Sequence, residues 1–232
     1  MNMTTFDADG AGNLYVGTSN SNTSDAVVAK FSSNGVADQS FGTNGLLTLN
    51  TSSAPVEYVS QIEFIDGKLL ASIVSGDTGW QGVKKVTAVI RSTINGALDA
   101  SFGTGGQATI TGSSKVGVGV LRSFWPLPDG GMWIVSPGDM MTQSPVTFAK
   151  LSPDGTSLSS WFSVKLGTCD TNYMRDAVVT ASGIYLLGVN SNNATSQENF
   201  VQVLNIFKIG LSGSSAPATT TTAPPPTTVA PT

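Results

Sequence analysis

The 232-residue chain carries a net charge of −4, with no histidine and a single cysteine, and it is long enough to bury a substantial core. These counts exclude histidine-based triads and histidine-ligated metals, as well as zinc and iron–sulfur sites built on thiolates. The acidic charge, with no basic cluster beyond Lys84 and Lys85, argues against nucleic acid, whose binding requires many phosphate contacts. The sequence has no nucleotide-binding loop, and we expect no cofactor.

Four similar units follow one another along the chain, each aligned on a basic residue five places before a glycine. The basic residues are Lys30, Arg91, Lys150 and Lys208. Apolar runs and turn residues predict three strands per unit, a, b and c, with c ending at the basic residue. The a strands are predicted at 3–6, 59–64, 121–127 and 175–180, and the turn with strand b at 12–16, 66–74, 129–135 and 182–189. A fourth strand, d, is predicted at 46–49, 107–111 and 162–166, with no counterpart after Gly213.

Between strands c and d lies a repeated signature, NGVADQSFGTNG at 34–45 and NGALDASFGTGG at 95–106. A shorter version follows at 154–163, whereas the fourth unit has Thr219 in the register of the aromatic residue. We predict that these residues are turn and anchor positions that pack one unit on the next, without catalytic roles. The signature positions are Gly35, Phe41, Gly42, Gly96, Phe102, Gly103, Gly155 and Trp161.

Four short strands per unit of about 60 residues, with no amphipathic helix, predict an all-β fold, a β-propeller of about four blades. Sandwiches and barrels fit less well because they do not need the same turn and aromatic residue in successive units. The count is about fifteen strands, because the last repeat lacks strand d. We therefore expect an incomplete or partial propeller.

The signature resembles that of the delta-60 repeat family, bacterial β-propeller repeats with the pattern Asn-Gly-x-Leu-Asp-x-Ser-Phe-Gly. Residues 95–106 match throughout, and residues 34–45 depart at Ala37. The third copy has Trp161 for the phenylalanine and Phe162 for the glycine. The resemblance covers most of residues 3–213 and implies a secreted or surface protein with no shared active site.

Composition changes abruptly after residue 213. Segment 214–232 has five prolines, seven threonines and no charge, so we predict a propeller over 1–213 followed by a disordered Thr/Pro-rich linker or stalk. No apolar stretch is long enough for a membrane span, and residues 1–5 lack the features of a signal peptide. We expect a monomeric, extracellular or cell-surface protein whose leader lies outside this chain. Cys169 is interpreted as a half-buried small residue rather than a nucleophile.

The b–c connections vary between units, and repeat proteins concentrate such variation on the face that binds. The predicted function is a non-enzymatic binding or adhesion module for a glycan or cell-envelope polymer, with a purely structural spacer as the alternative. A glycoside hydrolase is the second alternative, because it needs only two carboxylates. Its candidate acids are Glu57, Asp77, Asp139, Asp170 and Glu198. The candidate ligand-binding residues are Trp80, Lys84, Lys85, Met140 and Met141.

Residues 7–13, DADGAGN, resemble an oxygen-rich calcium loop. The other units place plain turns at the equivalent position. An Asp-Gly hairpin turn is therefore the favoured interpretation.

Overall fold

A computed structural model describes residues 5–20, 23, 25–51, 54–76, 84–112, 124–136, 146–164, 171–180, 183–191, 202–209 and 220–222. The described residues form sixteen strands in four sheets and contain no helix, and therefore none that could span a membrane. The prediction of an all-β fold is confirmed. The chain divides into two compact units, residues 1–137 with 147–162, and residues 138–146 with 163–232.

Each repeat forms one sheet of four strands in chain order. Sheet 1 contains β1 (Thr5–Ala8), β2 (Leu14–Ser19), β3 (Ala26–Phe31) and β4 (Leu46–Leu49). Sheet 2 contains β5 (Val56–Ile65), β6 (Lys68–Gly76), β7 (Lys84–Thr93) and β8 (Gln107–Thr109). Sheet 3 contains β9 (Phe124–Pro126), β10 (Met132–Ser136), β11 (Val146–Leu151) and β12 (Phe162–Val164). Sheet 4 contains β13 (Thr171–Thr180), β14 (Gly183–Ser191), β15 (Gln202–Ile209) and β16 (Thr220–Thr222).

The basic residue that aligns the repeats has the same place in every sheet. It lies on the third strand, directly opposite a bulky residue of the second strand. The four pairs are Tyr15 with Lys30, Leu70 with Arg91, Trp133 with Lys150 and Tyr185 with Lys208. The sequence period therefore corresponds to one antiparallel sheet per unit.

The fourth repeat has a fourth strand, so the prediction that it lacks one is wrong. β16 pairs antiparallel with β15, with Thr222 opposite Asn205 and Thr220 opposite Phe207. Threonine is β-branched and well suited to a strand, but here it lies within a segment whose proline content suggested a linker. The remainder of 214–232 lies outside the described residues.

Sheets 1, 2 and 3 pack face to face in chain order, with sheet 2 covered on both faces. One apolar cluster joins sheet 1, through residues such as Tyr15 and Phe41, to Ile73 of sheet 2. A second cluster joins the other face of sheet 2, including Phe102, to Ile134 of sheet 3. Alternate residues of a strand point to opposite faces, which explains why the long strands of sheet 2 are apolar almost throughout.

The first strands of these three sheets are also joined by polar contacts. The backbone N–H of Phe64 on β5 donates to Oδ2 of Asp7 on β1, at 2.7 Å. Gln61, also on β5, makes two bonds to one residue of β9: its Nε2 donates to the carbonyl oxygen of Phe124 at 2.9 Å, and its Oε1 accepts the N–H of Phe124 at 3.0 Å. A side chain thus completes the backbone hydrogen bonding at an edge strand of the next sheet.

Candidate functional site

Sheets 1 to 3 each have two chemically different ends. The a–b and c–d connections share one edge, which we call the turn end (9–13, 32–45, 66–67, 94–106, 127–131 and 152–161). The b–c and d–a connections follow the opposite end of each sheet's strands, and we call these connections, with those of sheet 4, the loop end (20–25, 50–55, 77–83, 110–123, 137–145, 165–170 and 192–201). The fifteen carboxylates of the chain divide between these ends and the strands, and the division determines which of them are available for chemistry.

The signature residues occupy the turn end. Phe41 and Phe102 are fully buried between neighbouring sheets. Gly42 and Gly103 have positive φ values of 57° and 55°, and a Cβ at either position would collide with the carbonyl oxygen of Leu46 or Gln107. Only glycine avoids both the strained conformation and the collision, which accounts for the glycine after each phenylalanine.

Each Phe-Gly pair, Phe41-Gly42 and Phe102-Gly103, forms a corner that is hydrogen-bonded to the next repeat. The N–H of Gly42 donates to the carbonyl oxygen of Asn95 at 2.9 Å, and the N–H of Gly103 donates to that of Asp154 at 2.7 Å. Trp161 is partly buried, and its Nε1 donates to the carbonyl oxygen of Thr111 at 2.7 Å. These contacts are those of scaffold residues.

Asp99 is held by four donors at the turn end. Its Oδ2 lies 3.0 Å from both Arg91 Nε and Lys68 Nζ, and its Oδ1 accepts the N–H and the hydroxyl of Ser101. The Ser101 hydroxyl and then Lys68 hold the pKa of Asp99 far below its ordinary value. Arg91 also stacks over the ring of Phe102, 4.5 Å from the centroid, and this arrangement fixes the corner.

Other turn-end acids are bonded in the same way. Asp38 accepts the hydroxyl and N–H of Ser40 and pairs with Lys30 at 3.2 Å, which together lower its pKa. Lys150 lies 2.7 Å from Asp129 and lowers the pKa of that carboxyl. The hydroxyl of Ser152 is the main cause of the pKa of about 2 at Asp154.

The loop at 7–13 is a hydrogen-bonded turn. Asp9 accepts the N–H groups of Ala11 and Asn13 on Oδ1, and the Asn13 amide and the Tyr15 hydroxyl on Oδ2. Burial raises the pKa of Asp9, but these bonds outweigh it and the pKa is lowered overall. Because four donors of the chain already occupy this carboxylate, the geometry is that of an Asp-Gly turn.

The acids at the loop end are different. Glu57, the second residue of β5 and adjacent to the loop end, is only 2% exposed; its two oxygens accept the N–H of Thr51, and Oε1 also accepts the Thr51 hydroxyl. Glu57 therefore positions the connection between sheets 1 and 2. Asp25 is partly exposed at the loop end of β3, where Oδ1 accepts the amide of Asn50 at 3.4 Å. Sequence reasoning did not select Asp25, although its place at the end of a b–c connection was a usable signal.

The remaining predicted site residues fall mainly outside the described part of the chain. This holds for Trp80, Met140 and Met141, for Cys169, and for the acids Asp77, Asp139, Asp170 and Glu198. By sequence, these four acids lie in b–c or d–a connections. Lys84 and Lys85 begin β7, paired with Gly76 and Ser75, and Lys85 is exposed. Among the described residues, no group of three or more acidic or cysteine side chains is placed to hold a metal.

No family model and no curated protein matches the chain. Several solved structures are similar to it. An α-L-arabinofuranosidase from Lactobacillus brevis shares 10% identity at a TM-score of 0.47, with 94% of this chain and 71% of that chain covered. The Bacteroides ovatus xyloglucan PUL GH43B shares 15% identity at a TM-score of 0.48, covering 97% of this chain and 42% of its own. An exo-1,5-α-L-arabinanase from a bovine ruminal metagenomic library shares 8% identity at a TM-score of 0.44, with 89% and 70% covered.

These structures contradict the prediction of a non-enzymatic binding module or spacer. The arabinofuranosidase and the arabinanase are named as enzymes. The sequence argument against an enzyme was that fifteen scattered acids formed no visible constellation.

Proposed function

We propose that the chain is a glycoside hydrolase built on a β-propeller whose catalytic carboxylates come from the loop end. The propeller is supported by four-stranded sheets in chain order, by face-to-face packing of sheets 1 to 3 and by the polar contacts between their first strands. The support for the activity comes from the chain's own residues rather than from the distant structures.

The observation that carries the proposal is the division of the acids. Five of the six turn-end aspartates have lowered pKa values and are held by neighbouring donors: Asp9, Asp38, Asp99, Asp129 and Asp154. A general acid must hold its proton near neutral pH, so these groups are unsuited to that role. Of the other ten carboxylates, five lie in the irregular loop-end connections: Asp25, Asp77, Asp139, Asp170 and Glu198.

Glycoside hydrolysis is compatible with the residue types of this chain because it needs no histidine, thiolate or cofactor. One carboxylic acid protonates the leaving oxygen of the glycosidic bond, while a second carboxylate activates water or attacks the anomeric carbon. The candidates for these roles are Asp25 and Asp77 in the first compact unit, and Asp139, Asp170 and Glu198 in the second. Glu57 is assigned a positioning role, because its oxygens are already bonded to Thr51.

The proposal is tested by assaying the purified chain against chromogenic aryl glycosides, including α-L-arabinofuranosides, and against arabinan and xyloglucan. We expect turnover of at least one substrate. Replacing a catalytic loop-end acid by its amide, as in Asp77→Asn or Glu198→Gln, should lower kcat/KM by about 10²-fold or more, the usual range for loss of acid–base catalysis.

The matched controls are the turn-end variants Asp38→Asn and Asp129→Asn, which remove the same charge from a bonded site. These variants should lower thermal stability and leave kcat/KM close to that of the parent chain. Two results would overturn the proposal: a folded parent chain that turns over no substrate, or turnover that survives every loop-end substitution.

A further inference from the structure

Three asparagines of the chain are directly followed by glycine: Asn34, Asn44 and Asn95. Such a pair is chemically reactive because glycine has no side chain to shield its backbone nitrogen. That nitrogen loses its proton to water and attacks the asparagine Cγ; an N–Cγ bond forms, the Cγ–Nδ2 bond breaks and ammonia leaves. Water then opens the succinimide ring to aspartate or isoaspartate, and nothing is oxidised or reduced. The fold holds the three pairs differently.

The pair Asn95-Gly96 is held by the preceding repeat. The carbonyl oxygen of Asn95 accepts the N–H of Gly42 at 2.9 Å, and the N–H of Gly96 donates to the carbonyl oxygen of Thr93 at 3.0 Å. A Cβ at Gly96 would lie 3.1 Å from the Phe41 ring, so the two repeats are in close contact here. The backbone rotation that attack requires would break these contacts, and we expect this pair to react slowly.

The pair Asn34-Gly35 is held by its own turn. The N–H of Gly35 donates to the carbonyl oxygen of Ser32 at 2.8 Å, so the attacking nitrogen is engaged. The N–H of Ser32 donates to the carbonyl oxygen of Val36 at 2.8 Å, and the Ser32 hydroxyl accepts the N–H of Val36 at 3.2 Å. Opening this turn costs three hydrogen bonds.

The pair Asn44-Gly45 forms the centre of a two-residue turn within the c–d connection. Thr43 and Leu46 flank it and exchange two backbone hydrogen bonds, of 2.8 and 3.2 Å. Asn44 has a φ of 53° and, among the described residues, shares a positive φ outside glycine only with Asp66. The left-handed conformation is strained for a residue with a Cβ, although asparagine tolerates it better than most. Rotation of Asn44 out of the turn therefore relieves strain.

The second repeat builds the same turn from Gly105 and Gly106, with φ of 63° and 95°. There the N–H of Gly106 donates to the carbonyl oxygen of Phe102, and its carbonyl oxygen accepts the N–H of Arg91, both at 2.9 Å. Within the described part of the chain, the N–H of Gly45 has no acceptor. The nitrogen next to Asn44 is thus the unengaged one of the three.

We propose that Asn44 is a site of spontaneous deamidation and isoaspartate formation, and that it reacts before Asn34 and Asn95. Isoaspartate adds a carbon to the backbone at the centre of the turn, so Thr43 and Leu46 lose their pairing. The Leu46 carbonyl oxygen lies against Gly42, whose N–H bonds the second repeat. The modification therefore loosens the contact between the first and second repeats.

Ageing the purified chain in mildly alkaline buffer below its Tm tests the order of reaction. Peptide mapping by mass spectrometry locates each lost amide, and enzymatic methylation of isoaspartate distinguishes the two products. We expect modification at Asn44 to be several-fold faster than at Asn34, and modification at Asn95 to be slowest. Faster reaction at either of the other asparagines would overturn the proposal. So would an Asn44 that reacts in urea but stays intact in the folded chain.

The matched control is Asn44→Gly, which copies the Gly105-Gly106 turn of the second repeat. This variant should keep the turn and lose the early modification, while Asn34 and Asn95 react as in the parent chain. Early modification that persists in Asn44→Gly would show that the reactive site lies elsewhere.

A second variant tests what protects Asn95. Phe41→Leu removes the ring that packs on Gly96 but keeps an apolar side chain in the core. Modification of Asn95 should then accelerate several-fold relative to that of Asn34 in the same molecule. An unchanged ratio of the two rates would overturn the packing contact as the cause of protection.

The effect on the fold is measured against Asn44→Asp, which carries the charge of the deamidated product on an ordinary backbone. The aged parent chain, rich in isoaspartate, should have a lower Tm than Asn44→Asp. Its amide hydrogen exchange at Gly42 should also be faster. Equal values for the two proteins would contradict the proposed loosening of the contact between repeats.

Discussion

The two glycines Gly35 and Gly96 occupy the same place in successive repeats and differ only in what surrounds them. Both have φ near 80°, so alanine at either position carries the left-handed penalty of about 1–2 kcal/mol. At Gly96 the new Cβ would also lie 2.7 Å from the backbone N of Gly42. Gly96→Ala should therefore cost about 1–3 kcal/mol more than Gly35→Ala in urea unfolding, the usual range for overpacking. Equal costs for the two variants would contradict this account of the corner.

Asp99 makes stability depend on acid pH. Because its folded pKa is depressed, the ionised carboxylate stabilises the fold fully above the unfolded pKa of about 3.9, and this stabilisation is lost as the pH falls through the folded pKa. Asp99→Asn should be less stable than the parent chain at pH 7, and the difference should narrow below about pH 4. Unfolding midpoints measured from pH 7 to pH 2 check this, and a constant difference would contradict it.

The hydrogen bonds to Asp38 and Asp99 could have been predicted from the local sequence. Asp38 and Asp99 are each followed two places later by a serine that donates both its N–H and its hydroxyl to the carboxylate. Such Asx-type turns are recognisable from short spacing alone. The hydrogen bonds from Thr51 to the Glu57 carboxylate span the connection between sheets 1 and 2, and no short sequence spacing predicts them.

At the scale of elements, Gln61 joins two sheets through one side chain. It is 3% exposed, and both of its amide atoms bond the backbone of Phe124. Gln61→Leu keeps most of the volume but leaves an N–H and a carbonyl buried without these partners, which should cost about 2–4 kcal/mol. Gln61→Glu keeps an acceptor for the Phe124 N–H, but it places a buried carboxylate oxygen beside the Phe124 carbonyl and Oε1 of Glu63, so it should also destabilise the fold. Urea unfolding measures both values, and full stability of Gln61→Leu would contradict the assigned role.

Strand prediction succeeded where apolar residues and the repeat register agreed. The d strands predicted at 46–49 and 107–111 are found as Leu46–Leu49 and Gln107–Thr109, and the one predicted at 162–166 is found as Phe162–Val164 within the described residues. The first strands were less well placed, since the one predicted at 121–127 covers only Phe124–Pro126 among the described residues. β16 was missed because three threonines have no apolar pattern. Their pairing with β15 is a tertiary effect that overrides composition.

For the whole molecule, periodicity predicted the architecture far better than the function. A lysine or arginine lies at the same position of the third strand in all four sheets, so the sequence repeat predicted one sheet per unit. The candidate functional site could not be predicted from the periodicity. Scaffold residues recur from repeat to repeat, whereas the loop-end residues differ in sequence from one repeat to the next. The resemblance to delta-60 repeats stays a prediction.

The separation of turn end from loop end has a consequence for how this protein can change. The glycine and aromatic contacts that hold neighbouring sheets together lie at the turn end, as do the ion pairs within single repeats, so insertions at the loop end leave these contacts intact. Each repeat therefore combines a constant turn end, which contacts the neighbouring repeats, with a variable loop end. The loop-end connections can be replaced one at a time with little change in the stability of the whole fold.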